Sequence, residues 1–189
     1  MTTYYCDVAP GHEWHGPYHE AHYGFPIAND DELFERLILE INQAGLSWLT
    51  ILKRQDAFRK AFRDFKIEKV ARLGARDVER LMTDASIIRN RLKIQATIEN
   101  AKRIKAIQRE AGSFAAWLKS HHPKRKDEWV KLFKKTFVFT GGEIVGEFLM
   151  SIGYLPGAHH TGCPIYKRIA KLKPAWAEAE RKGFSYSEA

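Results

Sequence analysis

The chain has 189 residues, with 31 Lys and Arg against 23 Asp and Glu and a net charge of +8. That length and apolar content allow a core without disulfide staples. No apolar run approaches membrane-spanning length, and Met1–Pro10 has no basic-then-apolar leader, so a cytoplasmic protein without membrane contact is expected, its two cysteines reduced. The first residues read as an irregular stretch rich in His, Gly and Pro. Asn29-Asp30-Asp31-Glu32 then has the form of a capped helix start. Leu33, Leu37, Ile41 and Ala44 follow at helical spacing until Gly45.

Ser47 caps a second predicted helix, with Trp48, Ile51, Phe58, Phe62 and Phe65 as its apolar stripe. Shorter helices fit 67–73 and 76–83, and a long one fits Arg91 to Arg109 through Ile94, Ile98, Ala101 and Ile104. Pro123 and Lys124-Arg125-Lys126-Asp127 mark an exposed link. Glu128–Lys135 and Glu143–Ile152 are the last predicted helices, and no alternating strand pattern competes. The fold class is all-α, in one domain over 1–189.

Four features carry chemistry. Cys6 with His19, and Cys163 with His159, supply a ligand set that suits a closed tetrahedral zinc site tying 1–20 to 157–165. Spacing alone fits two unrelated thiols and stray histidines better than a zinc-finger pattern, and His160 competes with His159 for the nitrogen position. Gly141-Gly142 lies between two short helices in a helix-hairpin-helix pattern over about 128–153, where free backbone N–H groups can hold a phosphate; a glycine pair is also an ordinary turn. Basic residues crowd Arg89, Arg91, Lys93, Lys102, Arg103, Lys105 and Arg109, and again Lys124 to Lys135. They suit a polyanion or an ordinary solvated face. Finally, Glu40 sits at the edge of an apolar helix stripe, where a carboxylate must be paired, protonated or facing a cavity.

Leu39-Glu40-Ile41-Asn42-Gln43-Ala44-Gly45-Leu46-Ser47-Trp48 resembles the active-site segment of the bacterial 3-methyladenine DNA glycosylase I family, in the helix-hairpin-helix superfamily. Matches continue through Asp77–Leu81, Asp84-Ala85, Ile87–Arg89 and Lys93–Ala96, with Tyr18-His19-Glu20 before and His159 and Cys163 after them. The resemblance implies a monofunctional enzyme that hydrolyses the N-glycosidic bond of alkylated purines, chiefly 3-methyladenine, in double-stranded DNA. It implies Glu40 as the catalytic acid, Tyr18 and Trp48 with Glu40 as base contacts, and Gly45 and Leu46 as turn and wedge in the duplex. It further implies DNA contact at Gly141 and Gly142, structural Zn2+ on Cys6, His19, His159 and Cys163, no nucleotide cofactor and a monomer. A non-catalytic zinc protein that binds alkylated or bent DNA is the alternative. The chain departs from the family at Val8 and His15, where aromatic residues are usual, with Trp14 a neighbouring substitute, and in a shortened segment around Pro123–Asp127.

Overall fold

A computed structural model describes residues 4–187. Among these residues every regular element is helical. In chain order they are α1 (Tyr5–Val8), α2 (His15–Ala21), α3 (Asp30–Gln43), α4 (Trp48–Leu52), α5 (Gln55–Ala61), a single 3-10 turn (Arg63–Phe65), α6 (Ile67–Val70), α7 (Ala75–Thr83), α8 (Arg91–Ala111), α9 (Phe114–His121), α10 (Lys126–Thr136), α11 (Gly142–Ser151), α12 (Pro164–Lys171) and α13 (Ala175–Arg181).

The helix at the centre is α3. Asn29 caps it by accepting a hydrogen bond from the Glu32 N–H, and Asp30, Asp31 and Glu32 place negative charge where the helix dipole favours it. Every residue from Leu33 to Asn42 except Glu35 is buried, because α3 packs against α4, α6, α8, α9 and α11 on different sides. A helix enclosed in this way has little wet face, so Arg36, Glu40 and Asn42 are buried with the apolar residues. Fully buried aromatics fill the spaces around it: Phe34, Phe58, Phe62 and Phe65 on one side, Phe114, Trp129, Phe133 and Phe148 on the other.

The predicted helix from Ser47 through Phe65 is in fact two helices and a turn. Ser47 does cap α4, through the Thr50 N–H. Arg54 then leaves helical geometry, and its guanidinium donates to the carbonyls of Ala85 and Ser86 at 3.4 and 3.1 Å. Arg63, Asp64 and Phe65 adopt φ of 58°, 56° and 50°, a left-handed turn that carries Phe65 into the core. Tertiary contacts thus bend a chain whose apolar spacing suits a continuous helix. The predicted 67–73 helix shortens to α6, and the predicted 76–83 helix forms as α7 with one residue more at its start. The long helix forms as expected, capped by Asn90 and stopped at Gly112 with φ of 84°.

The irregular start is also corrected, since α1 and α2 occupy it, and α9, α12 and α13 lie where no helix was predicted. The link at Lys124–Asp127 is partly helical, because α10 begins at Lys126. Between α10 and α11 the chain makes the expected hairpin, but its left-handed residue is Phe139 at φ of 61°. Gly141 and Gly142 have ordinary φ and open α11 as its N-cap and first residue.

Candidate active site and metal centre

The C-terminal half of α3 carries Glu40 into a cavity of about 260 Å³ lined by Tyr5, Tyr18, Tyr23, Glu40, Gln43, Trp48 and Glu147. A neighbouring groove of about 520 Å³ shares Glu40, Gln43 and Glu147, and extends over Gly45 and Leu46 to Gly141, Gly142 and Ile144. The sequence-predicted acid, aromatics, turn, wedge and hairpin therefore line one continuous surface. Leu46 stands out, 41% exposed, beside Gly45, whose φ of 81° makes the tight turn at the end of α3.

Tyr18 and Trp48 approach with ring centroids 5.0 Å apart, and Arg36 lies 5.0 Å over the Tyr18 ring while donating to its hydroxyl at 3.2 Å. Arg36 also donates to the carbonyls of His22 and Ser151, so one buried guanidinium ties α2, α3 and α11 together. The indole Nε1 of Trp48 is buried without a protein acceptor. Burial pushes the Glu40 carboxyl up to about 8; Glu147 adds repulsion, and Arg36 only partly offsets both. The Glu147 carboxyl is also raised, by burial first and by Glu143, against a Tyr23 hydroxyl that donates to it at 3.2 Å.

Several of these residues escaped the sequence reading. Tyr5 and Tyr23 complete the aromatic wall, and Tyr5 is bonded to His15 Nδ1 at 2.9 Å, so His15 supports the pocket from behind. Val8 and Trp14 are exposed and do not line it, which corrects the expectation that Trp14 substitutes for the aromatic missing at Val8. Arg36 had a visible signal, since it precedes Glu40 by four residues on the same helix. Lys93 belongs to no solvated basic face. It is buried and donates to the carbonyls of Asn42 and Ala44 at 2.9 and 2.7 Å, holding the C-terminal end of α3 where the Gly45-Leu46 turn begins.

Behind Tyr23 lies the second predicted group. One ligand atom from each of Cys6, His19, His159 and Cys163 falls within 4.8 Å of all the others, and all four residues are buried. Cys6 Sγ and Cys163 Sγ lie 3.4 and 3.5 Å from His159 Nδ1, and Cys163 Sγ lies 3.6 Å from His19 Nε2. Tetrahedral zinc, with bonds of about 2.3 Å to sulfur and 2.0–2.1 Å to nitrogen, sets such S···N separations near 3.5 Å, so the donor set fits that ion. His159 Nε2–H donates to the Tyr23 carbonyl at 2.8 Å, which fixes the ring with Nδ1 toward the cluster. His160 points elsewhere, toward Asp7 and the Tyr4 ring, which resolves the choice of histidine.

A buried acid in an aromatic pocket, an exposed leucine on a tight turn and a hairpin on one all-helical surface is an arrangement that suits a helical DNA glycosylase. Solved structures agree: a 3-methyladenine DNA glycosylase I in complex with 3-methyladenine superposes with a TM-score of 0.78 at 32% identity, covering 85% of this chain and 96% of its own. The Staphylococcus aureus 3-methyladenine DNA glycosylase I gives 0.77 at 33%, covering 85% and 95%. The family model described as methyladenine glycosylase matches residues 10–131. DNA-3-methyladenine glycosylase 1 of Escherichia coli is 36% identical over 168 residues, 79% of this chain and 89% of that protein; the Haemophilus influenzae DNA-3-methyladenine glycosylase is 34% identical over 166. The chain belongs to the methyladenine glycosylase family.

Proposed function

We propose that the chain is a DNA glycosylase that hydrolyses the N-glycosidic bond of alkylated purines, chiefly 3-methyladenine, acting as a cytoplasmic monomer without a nucleotide cofactor. The buried carboxyl of Glu40, lining one cavity with Tyr18 and Trp48, is the observation that carries this reading. A purine alkylated at N3 is cationic within DNA. When its bond to C1′ breaks, the electron pair stays on the base, which leaves neutral, and water adds to the cationic sugar at C1′ and gives up a proton to solvent. Such a leaving group needs no strong proton donor. It needs a site that prefers the cationic purine to adenine, and an anion beside π faces supplies one.

The base reaches this pocket only out of the stack. Leu46 on the Gly45 turn fills the gap it leaves, and the N-terminus of α11 at Gly141-Gly142 holds a backbone phosphate through its N–H groups, which no side chain caps. No aspartate follows Asp127 to face the sugar, so Glu40, the more deeply buried of the two pocket carboxylates, takes the acid's role. In this reading the whole chain is one domain, and zinc on Cys6, His19, His159 and Cys163 is structural, because four protein ligands leave no position for a catalytic water. Mass spectrometry of bases released from methylated DNA tests the reading: 3-methyladenine is the expected product. No release, with methylated and intact duplex bound alike, would overturn it.

The hairpin makes a separate prediction. A Cβ on Gly142 would meet only Val130 Cγ2, at 4.0 Å, and one on Gly141 would meet nothing within 4 Å. These glycines are small for something outside the protein. Gly142→Leu is therefore expected to change the melting temperature by no more than about 2 °C while weakening duplex binding about tenfold for all sequences alike. Because no charge is removed, the salt dependence of binding should keep its slope.

A further inference from the structure

Glu147 belongs to no matched motif, yet it is the second carboxylate of the base pocket. It reaches the cavity from α11, one turn beyond the glycine hairpin, whereas Glu40 reaches it from α3. The Tyr23 hydroxyl fixes it by donating to Oε2 at 3.2 Å. Both carboxylates also line the groove that leads to Leu46 and the hairpin, so each faces the route by which a base enters. An acid at this place opposes DNA binding by its sign, since the polyanion backbone docks next to it. Its position calls for a compensating cation inside the pocket.

We propose that Glu147 is a specificity-determining residue that meets the extruded, positively charged purine from the hairpin side while Glu40 meets it from α3. The inference rests on the glycosylase reading above. Two carboxylates and four aromatic rings around one small cavity make a cage for a flat cation, and a neutral purine gains little there from the second charge. The groups facing this pair are few. Arg36 lies behind Tyr18, the hydroxyls of Tyr5, Tyr18 and Tyr23 line the wall, and Glu143 and Lys126 lie further along α11 and on α10, paired at 3.3 Å. Glu147 therefore adds its repulsion to the burial that holds a proton on Glu40, and removing it relieves that part, whereas Glu147 itself is raised by burial and by Glu143.

The test is release of 3-methyladenine from methylated duplex across pH 6 to 9 by the full chain and its Glu147→Gln and Glu147→Asp variants, with half-saturation separated from turnover. For Glu147→Gln the acid limb should move to lower pH, and half-saturation should weaken about tenfold at pH 9, above the value of about 8 to which Glu40 is raised, but far less near pH 6. Glu147→Asp keeps the charge and should restore the original profile. Undamaged duplex should bind Glu147→Gln as tightly as before or more tightly, because a negative charge has left the DNA-facing side. Profiles lowered in parallel at every pH, an unmoved limb, or an Asp variant that behaves like Gln would each assign Glu147 to packing and overturn the inference. Absence of release by the unsubstituted protein would overturn the glycosylase reading and this inference together.

Discussion

Glu40→Gln should release 3-methyladenine at least about 100-fold more slowly than the unsubstituted protein while melting at the same temperature or higher. The two effects share one cause. Buried among apolar residues, the Glu40 carboxyl keeps its proton up to about pH 8 in the folded chain, against an ordinary value of 4.5. Stability from this group is therefore fully present below about pH 4.5 and is lost progressively as pH rises toward 8, where the unfolded chain has long been ionised and the folded one resists. Glutamine has no such loss, so the variant should gain on the order of 3–4 kcal/mol at pH 7 to 8 and nothing near pH 4. A cationic purine reverses the balance by favouring the ionised carboxyl. Its capture at pH 7 should expel close to one proton, and at pH 9 almost none. Thermal melts at two pH values with single-turnover base release check the claim. A variant that unfolds would show Glu40 to be structural, and one that releases base normally would place the recognition elsewhere.

Long periodic stripes made α3, α8, α10 and α11 legible from the residues alone, because each buries an apolar face whose spacing is the helix repeat. The short elements were not. α1 has four residues and α2 seven, too short to stand without their neighbours, and they are held by contacts no local pattern records, among them the Cys6–His159 approach and the Tyr18–Arg36 hydrogen bond. The same limit hid the break at Arg54, whose cause lies at Ala85 and Ser86. Within the site, Glu40, Trp48 and the Gly45-Leu46 turn were readable because they fall in one contiguous segment. Tyr5, Tyr23 and Glu147 come from three separate places, and only folding puts them on one cavity. His159 and His160 are neighbours that spacing cannot separate. The Tyr23 carbonyl decides between them.

That carbonyl also sets the second large effect, because Tyr23 gives its backbone to His159 and its ring to the base pocket. Cys163→Ser replaces a thiolate by a poor zinc ligand at the start of α12 and should lose the single metal ion proposed for each chain. The ion would hold α1 and α2 against the segment from Ala158 to Cys163, where other contacts also cross: a long Cys6 contact to the Ala158 carbonyl, the Asp7–His160 pair, the Tyr4 ring against His160 and the His159 hydrogen bond to the Tyr23 carbonyl. Loss of about 3 kcal/mol is expected, a fall of roughly 6–12 °C in melting temperature for a chain of this size. The pocket should not fail as a whole. Glu40 stays on α3, and Arg36 still ties Tyr18 and the Ser151 carbonyl without help from the cluster. Tyr5 and Tyr23, which flank the cluster, should lose their fixed positions, so half-saturation by methylated DNA rises several-fold while turnover of bound base changes little. Metal content by mass spectrometry, melting temperature and the split between half-saturation and turnover check the three parts. Protein purified without chelators that carries no metal, or a variant that keeps its zinc, would end the metal assignment, whereas equal loss of turnover and affinity would show that the cluster and the acid act as one unit.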